Sequence, residues 1–138
     1  MANLERVLCL TIPVKPRTKK NHQQIIRPGG GRPIPIPSKE YRQYENDCLR
    51  LIPGSAKLGI DYPVNIRAIY YVDSKRKADK TNLESALMDM LVKAGVLMDD
   101  SAINPAIAVT TDGSMVKIDR KNPRIEIEIT KYNEWMVE

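Results

Sequence analysis

Between positions 64 and 72 the residues Val64, Ile66, Ala68, Tyr70 and Val72 alternate with Asn65, Arg67, Ile69 and Tyr71; from Leu83 the spacing changes to Leu83, Ala86, Leu87, Met90, Leu91 and Ala94. A period of two puts one set of side chains on a single face of a strand, and a period near 3.6 puts the other on one stripe of a helix. The switch sets a strand, a loop and an amphipathic helix in that order, with the apolar face of each needing the other for cover. Gly95 follows the stripe, where a left-handed residue closes a last helical turn.

The flanking sequence supplies the rest of a sheet and a second helix. Val7, Cys9 and Thr11 alternate with Leu8, Leu10 and Ile12 in a short run ended by Pro13, which reads as a buried first strand. Ser38 is placed to cap a helix in which Tyr41, Tyr44, Cys48 and Leu51 recur at three- and four-residue steps, and Pro53-Gly54 ends it. Beyond Asp99-Asp100, two strands are expected around an Asp112-Gly113 turn. A third follows, with Ile125, Ile127 and Ile129 alternating with Glu126, Glu128 and Thr130. The expected fold class is α/β, of the α+β type: a small mixed β-sheet, with the strand at 64–72 central and two main helices packed against it. A chain of 138 residues that is 42% hydrophobic suits one domain spanning 1–138, able to bury roughly two-thirds of its unfolded surface.

The segment from Pro13 to Pro37 is different in kind. It holds six prolines, the triplet Gly29-Gly30-Gly31 and six cations (Lys15, Arg17, Lys19, Lys20, Arg27 and Arg32) with no acid, and reads as a long cationic loop or arm. The whole chain has a net charge of +5 and a pI near 9.2, which favours a polyanionic partner. Lys15, Arg17, Lys19, Lys20 and Asn21 in the arm, with Lys75, Arg76 and Lys77 further on, are the candidate DNA-binding residues. The glycine triplet lacks the strand, lysine and hydroxyl context of a phosphate-cradling loop and reads as a turn, so no nucleotide cofactor is expected.

Cys9 and Cys48 fit no metal spacing and read as buried free thiols. His22 is the only histidine, which excludes a multi-histidine metal site, and the methionines read as core filler. Tyr70 and Tyr71 point to opposite strand faces, leaving one free to approach DNA. The polar N-terminus and the lack of any run near 18 apolar residues fit a cytoplasmic protein with no membrane segment.

Chemistry concentrates in residues 73–100. The loop Asp73-Ser-Lys-Arg-Lys-Ala-Asp79-Lys-Thr81-Asn82 interleaves carboxylates with cations ahead of the helix, and Asp99-Asp100 follow it. A hard cation needs oxygen ligands, and a phosphodiester needs positive charge beside it. On the helix, Asn82, Ser85, Asp89 and Lys93 share a flank away from the apolar stripe, so Asp79 and Asp100 join them only if the chain after Gly95 folds back toward the helix start. A plainer reading stands beside this one: Thr81 and Glu84 fit a capping box, Asp79 favours the positive end of the helix, and Asp99-Asp100 form a solvated turn.

The run Arg76-Lys77-Ala78-Asp79-Lys80-Thr81-Asn82-Leu83, then Asp89, Lys93-Ala94-Gly95 and Asp99-Asp100, resembles the core of the RusA family of Holliday-junction endonucleases, which bacteria encode, often on prophages. The resemblance implies a small α/β homodimer that cuts four-way junctions with paired symmetric nicks, using Mg²⁺ or Mn²⁺ held by aspartates of both subunits. By matching position it implies Asp79 and Asp100 as metal ligands and catalytic carboxylates, with Asp89 in support. Asn82 and Asp99 fall at recurring polar positions that can add oxygens to the metal, and Lys80 supplies charge to the catalytic site. Leu91, Val96, Leu97 and Met98 offer apolar surface for the dimer.

The sequence departs from the family pattern at Thr81, where the best-studied members have another aspartate, and at Ser85, where they have a lysine. Asn82 or Glu84 then stands in for the missing oxygen, and Lys80 or Lys77 for the missing charge. The reading is a structure-selective, metal-dependent endodeoxyribonuclease of branched DNA, serving recombination and repair. The alternative is a weak or inactive branched-DNA-binding module of the same fold, and a more distant one is a basic RNA- or protein-binding domain without chemistry.

Overall fold

The strand expected to be central is so: in the computed structural model, which describes residues 5–18, 23–74, 79–98 and 109–131, strand β4 (Val64–Val72) lies inside the main sheet. Its chain-order neighbours are β1 (Arg6–Ile12), β2 (Gln23–Ile26), β3 (Ile34–Pro37), β5 (Val109–Thr110), β6 (Met115–Ile118) and β7 (Arg124–Lys131). The main sheet runs β1-β7-β4-β5, with β6 also on β4, while β2 and β3 form a separate antiparallel pair. β1 and β4 each pair antiparallel with β7, but β5 and β6 run parallel to β4, so the sheet is mixed. Parallel pairing needs a crossover. Here it contains helix α2 (Lys80–Lys93).

β4 alternates buried and half-buried along its full length, with Val64, Ile66, Ala68, Tyr70 and Val72 inward. Against that face pack α2, through Leu83, Ala86, Leu87, Met90 and Leu91, and α1 (Lys39–Leu51), through Tyr41, Tyr44 and Cys48. Burial of each large side chain contributes about 1.5–3 kcal/mol, and Leu87 and Leu91 are fully enclosed. Ser38 caps α1 as expected, its hydroxyl accepting the Tyr41 amide at 3.1 Å. Gly95 closes α2 at φ +80°. No helix of the described residues is long and apolar enough to cross a membrane.

Six expectations need correction. Among the described residues β1 is an edge strand bonded to β7; Cys9 and Thr11 share the face of Glu128 and Glu126, turned away from the helices, and are exposed, so only Cys48 is a buried thiol. Leu51, on the apolar period of α1, is 36% exposed; Ile52, just past the helix end, is buried instead. Asp112-Gly113 joins no hairpin. β5 and β6 lie in line along one edge of β4, and the chain bulges between them. Side chains replace the lost ladder there: Asn65 Oδ1 accepts from the Asp112 amide at 2.8 Å and from Thr110 Oγ1 at 2.7 Å, and Ser114 Oγ accepts the Ala68 amide at 3.0 Å.

Leu91, Val96 and Leu97 are spent in the protomer's own core, leaving Met98 of that group exposed, so they do not supply a dimer face. Met98 and Met115 are also not core filler, because both lie at the rim, 43% and 40% exposed. Finally, part of the expected arm is ordered as a ribbon, with β2 and β3 paired from Gln23↔Pro37 to Ile26↔Ile34 around the glycine turn. The signal was present in Gln-Gln-Ile-Ile and Ile-Pro-Ile-Pro on either side of that turn, but the prolines hid it.

Candidate active site

The N-terminus of α2 is organised by Asp79. Its backbone is extended, and its Oδ1 accepts the Asn82 amide at 3.3 Å, so Asp79 is the cap residue. The Asn82 side chain adds a second bond, Nδ2 donating to Oδ2 at 3.0 Å. This overturns the capping box read at Thr81 and Glu84. The helix begins two residues earlier than that reading requires, which leaves Thr81 on its exposed first turn and Glu84 in its second. Asp79 was the better acceptor because a carboxylate also opposes the positive end of the helix.

Around this cap the first turns place Lys80, Glu84 and Ser85. Lys80 Nζ lies 3.9 Å from Glu84 Oε1, and Lys80 is half exposed. Glu84 is less open, with its side chain 20% exposed, and its Oε1 is buried without a hydrogen bond. Tyr70, directly beneath in the core, has its phenol pushed up by burial and then by the Glu84 charge. Ser85 is exposed on the flank shared with Asn82 and Asp89.

Asp89 is on that flank too, but ten residues along an α-helix from Asp79 is about 15 Å. Its charge acts on Tyr41 of α1, whose phenol is raised by burial first, then by Glu45 and Asp89. Lys93, the last member of the flank, is taken by both oxygens of Glu45 at 2.9 and 3.0 Å and ties α2 to α1.

The strand that feeds the site is tied to the base of the cationic arm. Lys15 Nζ meets Asp73 Oδ2 at 2.9 Å, just past the end of β4, and that hydrogen bond holds the Asp73 carboxyl below the usual range. Arg17 adds to the same shift. Lys15 and Arg17 also line a cavity of about 560 Å³ with Lys39, Gln43 and Tyr44 of α1. On the outward face of the sheet, Arg124 bonds Asp119 at 2.8 Å and Glu126 at 2.9 Å, and its guanidinium sits 3.7 Å over the Tyr71 ring. Tyr70 is in the core, and Tyr71, half-buried on the outward face, holds Arg124 against its ring.

Beyond Gly95, the Ile60 amide donates to the Val96 carbonyl at 2.9 Å and the Met98 amide to the Ile60 carbonyl at 3.0 Å, in a parallel bridge between Ile60 and Leu97 just ahead of β4. Asp99 and Asp100 lie outside the described residues, as do Lys19, Lys20, Asn21, His22, Lys75, Arg76 and Lys77. Among the described residues no group of three or more His, Cys, Asp or Glu side chains is arranged to hold a metal ion. Asp79 and Asn82 nevertheless present carboxylate and amide oxygens, both hard donors, which suit Mg²⁺ or Mn²⁺ and not a thiolate-seeking metal.

Comparison with known proteins matches the endodeoxyribonuclease RusA family over residues 13–130. A crossover junction endodeoxyribonuclease of Enterobacteria phage 82 is 33% identical over 96 residues, covering 68% of this chain and 74% of that protein. The protein of the same name from Escherichia coli strain K12 is 31% identical over an equal span and coverage. One from Escherichia coli O139:H28 is 28% identical over 99 residues, covering 70% of this chain and 77% of that protein.

Proposed function

This chain belongs to the RusA family of endodeoxyribonucleases, and from that premise we propose that it is a metal-dependent endonuclease that cuts four-way junctions and related branched DNA. The observation that carries the reading is the Asp79–Asn82 pair: a carboxylate fixed at the start of α2 by two donors, at 3.3 and 3.0 Å, while still open to solvent. Asp79 and Asp100 would hold Mg²⁺, or Mn²⁺ as a substitute, with oxygens from Asn82 and Asp99. When bound, the cation neutralises charge on the phosphate and acidifies a water.

The chain's own residues then do the positioning. Asn82 orients the Asp79 carboxylate, the cap fixes its height on the helix, and Lys80 is near enough to offer a cation to the phosphate on leaving Glu84. Asp89 supports the site from further down α2 and is too far along the helix to ligate the same ion as Asp79. Lys15, Arg17, Lys19, Lys20 and Asn21, with Lys75, Arg76 and Lys77, hold the DNA backbone. A single domain acts as a homodimer, because two identical sites match the twofold symmetry of a four-way junction.

A second reading is favoured by one observation. Thr81 and Ser85 are both exposed on the first turns of α2, at the positions where the resemblance to the family leads to the expectation of an aspartate and a lysine, and a binding module without cutting fits that departure. Labelled four-way junction, linear duplex and single strand, incubated with Mg²⁺, Mn²⁺ or chelator, separate the two. Metal-dependent cutting of the junction, lost in Asp79→Asn and Asp100→Asn, is the expected result. Tight junction binding without cutting under either metal would establish the module instead.

A further inference from the structure

We propose that the β2–β3 ribbon is an apolar wedge that enters the open centre of branched DNA and holds its base stacks apart, an inference that rests on the reading of this chain as a branched-DNA endonuclease. Among the described residues the ribbon packs mainly on itself. Ile25, Ile26 and Ile34 are 72%, 40% and 45% exposed. The register pairs Ile25 with Pro35 and Ile26 with Ile34. Ile25 therefore lies on one face and Ile26 with Ile34 on the other, so both faces are apolar. An antiparallel pair in a globular protein ordinarily turns one such face to a core, and a two-stranded ribbon with no cover is marginal in water.

Charge decides what covers it. No acid occurs from Pro13 to Pro37, and the turn that closes the ribbon is flanked by Arg27 and Arg32, both exposed. Apolar side chains framed only by cations complement stacked bases framed by phosphates, and isoleucine is among the residues that wedge base steps apart. A second protein strand is the poorer match. Pro35 and Pro37 have no amide hydrogen to give β2, so their nitrogens belong on the outer edge of β3, which then cannot donate to an added strand.

The ribbon also starts from the right place. Its roots are seated in the fold, Thr18 and Ser38 being 6% and 5% exposed. The approach to it is pinned to the end of β4 through Lys15 and Asp73, and that end of the strand leads to Asp79. A branch point opened by the ribbon would therefore lie on the same end of the sheet as the cutting site.

The test uses the full chain, a four-way junction carrying 2-aminopurine beside the branch point, and a matched linear duplex. Wild type is expected to raise the fluorescence on binding the junction. The Ile25→Ser/Ile26→Ser/Ile34→Ser variant should lose that rise and lose its preference for junction over duplex by about tenfold or more, with duplex affinity unchanged. Its thermal melt should stay near wild type because all three side chains are exposed. Ile25→Ser alone gives the same readout at smaller amplitude. Arg27→Ala/Arg32→Ala should weaken both DNAs alike and reduce the salt slope by up to about two. A triple variant that keeps the wild-type fluorescence and preference overturns the wedge alone. So does one that turns a wild-type dimer into monomers, which would make the ribbon a subunit contact. A wild type with no junction preference removes the functional reading and the wedge together.

Discussion

Asp79 is asked to cap a helix and to hold a metal, and three substitutions pull these roles apart. Both bonds it accepts, at 3.3 and 3.0 Å, are exposed to competing water, so losing them costs about 1 kcal/mol. Removing the charge beside the helix N-terminus costs roughly 0.3–1 kcal/mol more. Asp79→Ala should therefore lose about 1–2 kcal/mol, whereas Asp79→Asn and Asp79→Ser keep an oxygen for the Asn82 amide and should lose only about 0.5 kcal/mol. At roughly 4 °C per kcal/mol for a chain of this size, the alanine variant melts visibly lower and the other two hardly move. Cutting should not follow that ranking. A ligand lost to the metal should reduce junction cleavage at least about 100-fold in all three. Urea unfolding and a single-turnover cleavage assay on the same preparations make the comparison. Asp79→Ser cutting within about threefold of wild type, a barrier change of roughly 0.7 kcal/mol, would show that Asp79 is a cap and nothing more.

Leu87→Ala, at a fully enclosed position facing the sheet, should cost about 2–5 kcal/mol in denaturant unfolding; a loss below 1 kcal/mol would mean that α2 is not packed as described. One thiol, Cys9, should react with an aromatic disulfide reagent in the native protein and the second, Cys48, only after unfolding. Burial pushes the Cys48 thiol up to about 12, above its unfolded value of about 8.5, so the folded state binds the extra proton between those values and stability should fall as pH rises through that range. At the acid end the sign reverses: Asp73 and Asp119 are held low by Lys15 and Arg124. Their contribution is present above about pH 4 and lost below it, so Lys15→Ala should flatten the acid limb of a melting-temperature profile.

The sequence determined every element whose period runs long enough to be read. The alternation from Val64 to Val72 and the stripe from Leu83 to Ala94 gave a strand and a helix with the right faces inward, because side-chain geometry repeats every two or 3.6 residues whatever lies nearby. Ser38 as a cap and Gly95 as a stop were legible for the same local reason. Carboxylates and cations around Asp79 were legible as chemistry, but which oxygen caps the helix was not: Thr81 and Asp79 both satisfy the rules, and only the start of α2 chose between them.

Tertiary structure alone decided the rest. Cys9 lies in a run as apolar as any core strand and is exposed because it shares the face of Glu126 and Glu128, turned away from the helices, while Leu8, Leu10 and Ile12 face the core. Leu91, Val96 and Leu97 read as spare surface until packing consumed them. Asp112-Gly113 reads as a hairpin turn, yet Asn65 and Ser114, more than forty residues away from their partners, hold that segment as a bulge in a parallel edge. Local pattern fixes which way a side chain faces on its own element. Only the layer packed against that face, which sequence period does not encode, fixes whether it meets protein or water.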